Sequence, residues 1–157
     1  MTGTTEQIYR LHRKGLFTLA LSITRRPESA EDAVHEAMVR LCRSGKSPTG
    51  DPIAYVFAAV RNAAVDQNRK GRSVSIFDLA EPSQEPVSAL DDLERDRLVA
   101  DAIEELPDEQ REAVVMHLYG GLTFQQVADV LEEPLQTIAS RYRRALATLR
   151  GQLASLK

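Results

Sequence analysis

The 157-residue sequence contains one cysteine and no tryptophan, and aromatic residues make up only 5% of it. The single thiol, Cys42, excludes an intramolecular disulfide and any metal site that needs several cysteines. No apolar run approaches the roughly 20 residues that a membrane-spanning helix requires. These absences favour a cytoplasmic protein without membrane insertion.

Sequence signs of catalysis are also absent. The histidines His12, His35 and His117 lie far apart, and none has a second metal ligand at a suitable spacing. The sequence contains no glycine-rich phosphate loop, no nucleophile elbow and no supported pair of carboxylates. We therefore expect no metal, no cofactor and no catalytic residue, and we predict that the protein is not an enzyme.

Charge is distributed unevenly along the chain. Basic residues exceed acidic ones by 5 over residues 1–73, acidic residues lead by 10 over 74–112, and basic residues lead by 2 over 113–157. The formal net charge of −3 therefore hides two basic ends separated by an acidic middle. The ends suit contacts with nucleic acid, although the total charge does not.

Apolar residues recur at helical spacing, which predicts an all-α fold with two small helical lobes joined by a linker. In the first lobe, residues 1–72, the first helix carries an apolar stripe that includes Leu11. The second helix has a capping-box-like start at Ser29 and Asp32. The dipeptide Asp51-Pro52 opens the third helix, which ends in a basic tip.

Prolines, serines and glutamates mark residues 73–88 as the linker, and helical periodicity resumes in a second lobe over residues 89–157. The pattern places Leu98 on the apolar face of the first helix in this lobe. Pro107 breaks the pattern, and a short helix is predicted from about residue 108 to residue 118.

A helix-turn-helix pattern follows in the second lobe. Thr123 and Gln126 form a capping-box pair before a short helix, residues 132–134 form a tight break, and a longer helix begins near Leu135. Such turns commonly carry a glycine where this chain has Glu132. A positive φ there costs a non-glycine residue on the order of 1 kcal/mol.

With Ala128 and Ile138 on the buried side, the longer helix presents a polar, arginine-rich outer face. Its hydrogen-bond donors suit DNA phosphates and guanine edges, although surface arginines are often only solvated. For Arg141, an ion pair that braces the lobe is the alternative to a DNA contact. The outer face consists of Gln136, Thr137, Ser140, Arg141, Arg143 and Arg144.

Two sets of motifs occur in the two lobes, in order. The second lobe contains Leu106-Pro107, Gln110-Arg111-Glu112, Gly120-Gly121-Leu122-Thr123, Val127-Ala128, Thr137-Ile138-Ala139-Ser140-Arg141 and Arg144-Ala145. The first contains residues 29–37 and 54–57, followed by Arg61-Asn62 and Asp66. Together they resemble regions 4 and 2 of bacterial RNA polymerase sigma factors of the extracytoplasmic-function (ECF) group, which consist of these two regions joined by a linker.

The resemblance implies a transcription initiation factor that binds core RNA polymerase and promoter DNA. In this family the second helix of region 2 docks on a coiled coil of the polymerase. The third helix faces the −10 element and captures a base flipped out of the non-template strand. Region 4 reads the −35 element in the major groove, and an anti-sigma factor is a usual partner.

Functional residues are carried over by position. Polymerase contacts fall on Asp32, Glu36 and Arg40, for which an ordinary solvated helix face is the alternative. Contacts to the −35 element fall on the six residues of the outer face, and Ala139 departs from the family because Lys or Arg is frequent there. Tyr55 stands where many relatives have Trp and either stacks on a base or packs between helices. Contacts to the −10 element fall on Tyr55, Arg61, Asn62, Arg69, Lys70 and Arg72.

Two other functions stay open at this point. A stand-alone helix-turn-helix regulator would bind an operator tightly without polymerase. A degenerate sigma-like protein-interaction module would bind polymerase or a sequestering partner without reading DNA. Glu132, Ala139 and the small positive charge of the last segment favour this module. The sequence identifies neither the promoter read nor the inducing signal.

Overall fold

The computed structural model describes residues 2–45, 50–71 and 90–155, and at residues 2, 3, 70, 71 and 90–96 it describes the backbone alone. Within these ranges every regular element is a helix, which confirms the predicted all-α fold. The predicted linker and Arg72 lie outside the described residues, and so does the side chain of Lys70.

The N-terminal lobe consists of α1 (Thr2–Thr24), α2 (Pro27–Ser44) and α3 (Pro52–Gly71), each packed against the other two. Small side chains on α2 let the helices approach closely, because Ala30, Ala33 and Ala37 are all buried. Larger side chains from α1 and α3 fill the interior between them. These side chains are Leu16, Leu19, Val56, Phe57 and Val60.

Two details of this lobe differ from the sequence prediction. Leu11 is 80% exposed, because the buried face of α1 follows Ile8, Leu16 and Leu19, and residue 11 falls outside that stripe. The second helix starts at Pro27 rather than after Ser29, without a side-chain cap. Proline has a fixed φ that suits the first helical turn, so the helix begins three residues earlier than the capping pattern indicated.

The start of α3 agrees with the prediction. Oδ1 of Asp51 accepts hydrogen bonds from the backbone N–H groups of Ile53 at 2.9 Å and Ala54 at 3.2 Å. Oδ2 accepts a third from Nε2 of Gln126, at 3.0 Å. The carboxylate therefore caps α3 and also ties it to the C-terminal half of the chain.

The C-terminal lobe contains α4 (Leu90–Glu104), α5 (Asp108–Val114), α6 (Phe124–Leu131) and α7 (Leu135–Ala154), and α7 packs against the other three. Leu98 is exposed rather than buried, whereas Ala102 and Ile103 supply the core face of α4. The predicted short helix begins at the expected residue, but after α5 it widens into a π-helical segment (Val115–Tyr119).

The helix-turn-helix of α6 and α7 has the predicted geometry. Thr123 and Gln126 form a complete capping box, with reciprocal hydrogen bonds of 2.9 and 3.1 Å. Glu132 ends α6 with a φ of 54°, which confirms that this glutamate occupies a position favouring glycine. Ala128 and Ile138 are both buried where the two helices meet.

The two lobes pack directly against each other, and their buried residues form one hydrophobic cluster. One close approach joins Gly15 of α1 to Gly120, which follows the π-helical segment: a Cβ built on Gly15 would lie 2.8 Å from the Gly120 Cα. A Cβ built on Gly120 would meet the Phe57 ring at 3.1 Å. We call this packing the closed arrangement.

Replacing Glu132 by Gly should stabilise the protein, because glycine adopts a positive φ without steric cost. We expect the free energy of unfolding to rise by about 1 kcal/mol, measured by urea denaturation. Glu133→Gly is the control, since this neighbour does not have a positive φ and should lose stability through added chain entropy and through loss of its ion pair with Arg141. A lower stability of the Glu132 variant would contradict the structure of the turn.

Asp51 should make stability depend on pH. Burial of its carboxyl raises the pKa, but hydrogen bonds from Gln126 and from the backbone of Ala54 and Ile53 outweigh burial, so the pKa lies below 3.8. A lowered folded-state pKa contributes stability above about pH 3.8, and that contribution is lost as the pH falls through the folded value. Asp51→Asn retains the cap and abolishes the titration. The stability difference between wild type and this variant should therefore shrink between pH 6 and pH 3, and a constant difference would refute the assignment.

Candidate nucleic-acid interface

The outer face of α7 lies opposite the core. Ile138, Ala145 and Leu149 point inward and are buried, whereas Gln136, Arg143 and Arg144 are exposed and Thr137 and Ser140 are half-buried. Five of the six predicted residues line one cleft with the start of α5. These five are Gln136, Thr137, Ser140, Arg141 and Arg144.

Arg143 and Arg141 depart from this common arrangement in different ways. Arg143 does not line the cleft, and its Nε donates to the backbone carbonyl of Ala139 at 3.4 Å. The Arg141 side chain is only 17% exposed and pairs with Glu133 at 3.4 Å and Glu109 at 3.5 Å. These contacts support the alternative that Arg141 braces α7 against the turn and α5.

A cluster of three rings, which the sequence did not single out, fixes α7 relative to α6. The rings of His117, Phe124 and Tyr142 have centroid separations of 4.6 to 5.1 Å. Nδ1 of His117 lies 2.8 Å from the Leu122 carbonyl, which can only accept, so Nδ1 carries the proton. The cluster thereby connects the π-helical segment to both helices of the helix-turn-helix.

The exposed side of α3 carries the residues predicted to face the −10 element. Tyr55 is 37% exposed, so its ring is available at the surface instead of being enclosed between helices. Asn62 and Arg69 are exposed and share its face, being seven and fourteen residues further along the helix.

Arg61 lies at the junction of the lobes. Its Nε donates to Oε1 of Glu112 at 2.8 Å, and Nη2 lies 3.5 Å from Oε2. Glu112, on α5, has only 6% residue exposure. Glu112 belongs to the Gln110-Arg111-Glu112 motif, but the sequence predicted no functional role for it. The sequence signal that could have identified Glu112 is its position directly before the apolar run from Ala113 to Met116, where a buried acid needs a compensating partner.

The predicted polymerase-binding residues form a charged strip on α2. Asp32 and Arg40 are exposed, and Arg40 donates to Glu36 at 2.7 Å. Asp32 also borders a groove of about 1010 Å³ between α1 and α2, whose floor includes the apolar side chains of Phe17 and Met38. The charged strip therefore continues into an apolar surface, as expected of a protein-binding face.

Two further findings concern the described ranges. They contain no group of three or more histidine, cysteine or acidic side chains placed to hold a metal ion. None of their helices has the length and apolar character needed to cross a membrane.

Comparison with known proteins gives consistent results for both lobes. A model of sigma-70 region 2 matches residues 8–74, and a model of sigma-70 region 4 matches residues 96–149. The ECF RNA polymerase sigma factor SigL of Mycobacterium tuberculosis is 30% identical over 157 residues, covering 95% of this chain and 88% of SigL. SigK of Mycobacterium sp. strain KMS is 29% identical, covering 93% of this chain and 81% of SigK.

Solved structures share the same arrangement of helices. The sigma factor RpoE of Bartonella quintana, determined in complex with the anti-sigma factor NepR, superposes with a TM-score of 0.69 at 25% identity, covering 95% of this chain and 96% of RpoE. CnrH, determined with the cytosolic domain of CnrY, matches in fold with a TM-score of 0.70 at 22% identity, covering 96% of this chain and 88% of CnrH. With both regions matched and with SigL similar along nearly its whole length, this chain belongs to the sigma-70 family and to its ECF group.

Proposed function

We propose that this sigma factor binds core RNA polymerase in the cytoplasm, directs it to specific promoters and helps to melt the −10 element. In this proposal residues 1–72 act as region 2, residues 73–88 as the linker and residues 89–157 as region 4. The protein itself catalyses no reaction and acts by positioning the polymerase.

The outer face of α7 is the observation that carries the proposal. An α-helix with side chains is about 10–12 Å wide and enters a major groove about 12 Å wide. Gln136, Thr137 and Ser140 offer hydrogen bonds to base edges, and Arg144 and Arg143 suit guanine or phosphate. Arg141 contributes mainly by holding α7 in place through its two glutamate partners.

The proposed −10 contact uses the exposed side of α3. The half-exposed ring of Tyr55 supports stacking on an unpaired base, and Asn62 and Arg69 supply a polar group and a cation on the same face. Arg61 joins this surface once it is released from Glu112. Lys70 and Arg72 are proposed to add phosphate contacts.

The proposed polymerase contact is the α2 strip of Asp32, Glu36 and Arg40 with the neighbouring apolar groove. Attachment to the polymerase makes the two DNA contacts effectively intramolecular, which raises their combined affinity without new contacts. An anti-sigma factor is a further proposed partner, supported by the structural relative RpoE, which was solved in complex with the anti-sigma factor NepR.

The test of promoter reading is run-off transcription with core polymerase on a promoter library, followed by sequencing of the start sites. Reversing two charges with Arg143→Glu and Arg144→Glu should reduce promoter-specific transcripts at least tenfold, because one good base contact is worth about 1–3 kcal/mol. Arg150→Glu is the control on the same helix, since residue 150 is exposed but lies almost two helical turns beyond the six residues of the outer face, towards the C-terminal end of α7. Unchanged start sites and rates in the double variant would refute the proposal.

The same assay separates the two alternative functions. A stand-alone regulator would bind its DNA site tightly without polymerase and would not support initiation. An interaction module would bind core polymerase without producing promoter-specific transcripts.

The polymerase contact is tested by affinity for core enzyme. Asp32→Lys places a cation in the proposed strip and should weaken binding roughly tenfold or more, since mismatched charge at an interface costs several kcal/mol. Glu6→Lys, an equal charge change at an exposed site on α1, should bind like wild type. Equal affinities for the two variants would exclude this surface.

A further inference from the structure

The starting point is the buried carboxylate of Glu112. Only 6% of this residue is exposed, and its side chain lies at the lobe junction, next to Ala113 and Val114 in the core. A carboxylate removed from water is strongly destabilising unless a cation or several donors satisfy it. The guanidinium of Arg61, at 2.8 Å, comes from α3 in the other lobe. The charge of Glu112 is therefore compensated across the junction.

Arg61 is also a residue of the proposed −10 surface. Its guanidinium binds a carboxylate through the same N–H groups with which it would bind a phosphate or the edge of a base. Among the described residues, Arg61 directs its Nε and Nη2 donors at Glu112. A DNA strand and Glu112 therefore compete for the same donors.

We propose that Glu112 is an internal competitor of promoter DNA, which occupies Arg61 in the closed arrangement and releases it when the lobes separate. The inference rests on the proposed role of Arg61 at the −10 element. It adds that the C-terminal lobe blocks part of the −10 surface until the polymerase draws the lobes apart.

Distances require that separation. The −10 and −35 elements are centred about 25 base pairs apart, or roughly 85 Å at 3.4 Å per pair. A compact chain of 157 residues has a radius of gyration of about 15 Å and measures roughly 40 Å across. The closed arrangement cannot reach both elements, so simultaneous reading of −10 and −35 breaks the Arg61–Glu112 pair.

The close contact at Gly15 allows the lobes to be opened without changing either member of the pair. The three atoms nearest to a Cβ built on Gly15 all belong to Tyr119 and Gly120 of the C-terminal lobe, at 2.8 to 3.5 Å. Gly15→Ala therefore pushes the lobes apart while leaving the N-terminal bundle uncrowded. Gly151→Ala is a matched control, because it is also a helical glycine but has open space around its Cβ position.

Glu112→Gln tests the competitor itself, since the amide has nearly the same shape but no charge. Asp101→Asn is its control, an equal charge change at an exposed site in the same lobe. Loss of the charge-assisted contact should raise the affinity of the polymerase-free protein for a single-stranded −10 oligonucleotide about tenfold. Gly15→Ala should raise it similarly, and the double variant should show less than the product of the two effects.

Two measurements decide the proposal, with thermal melts to verify that every variant is folded. Fluorescence anisotropy reports binding of the non-template −10 strand of a promoter used by the holoenzyme, and of a mixed-sequence strand of equal length. Energy transfer between dyes on the exposed Cys42 and on Thr148→Cys reports lobe separation, which the single native cysteine makes practicable. Adding Arg61→Gln to Glu112→Gln should abolish the gain in affinity.

Wild-type affinity in both Glu112→Gln and Gly15→Ala overturns the proposal, and so does lobe separation without a gain in DNA binding. A gain that survives Arg61→Gln also overturns it, because Arg61 is then not the group released. Failure of the proposed function gives a different result, because the wild-type holoenzyme then starts no RNA at any promoter. In that case, binding of the mixed-sequence strand still tests whether Glu112 restrains Arg61.

Discussion

The closed arrangement depends on the buried carboxylate of Glu112, whose charge must be compensated by a cation. Glu112 lies next to apolar residues of α5, and its charge is met by a guanidinium from α3, more than 50 positions earlier in the chain. Since an uncompensated buried charge is strongly destabilising, the two lobes are coupled through this pair as well as through apolar contact. Any motion that separates the lobes must also hydrate Glu112 and free Arg61.

The apolar part of the junction has a different character, because it depends on the absence of side chains. Gly15 and Gly120 bring two backbones together where one methyl group would already collide. Lobes of this size bury limited apolar surface by themselves, and a shared hydrophobic cluster extends the core of each. The lobes therefore stabilise one another while the protein is closed.

The helix-turn-helix is positioned by local contacts within the C-terminal lobe. The capping box of Thr123 and Gln126 starts α6, Glu132 makes the left-handed turn, and the ring of Tyr142 on α7 packs against His117 and Phe124. Gln126 also donates to the carboxylate that caps α3. The short helix of the motif is thereby joined to the start of the helix proposed to face the −10 element.

Sequence patterns alone determined the all-α fold, the cap of α3 by Asp51, the capping box at Thr123 and the location of Glu132 at a turn position that favours glycine, because each depends on residues within a few positions of one another. Leu11 and Leu98 were misassigned because an apolar stripe inferred from the sequence is averaged over several helical turns. The start of α2 was misassigned because the fixed φ of Pro27 competes with a side-chain cap. Only the tertiary structure decided that Arg141 is paired and that Glu112 meets Arg61. It also decided that Gly15 contacts Gly120. These contacts join distant segments, and their geometry follows from how the two lobes pack and not from any local spacing.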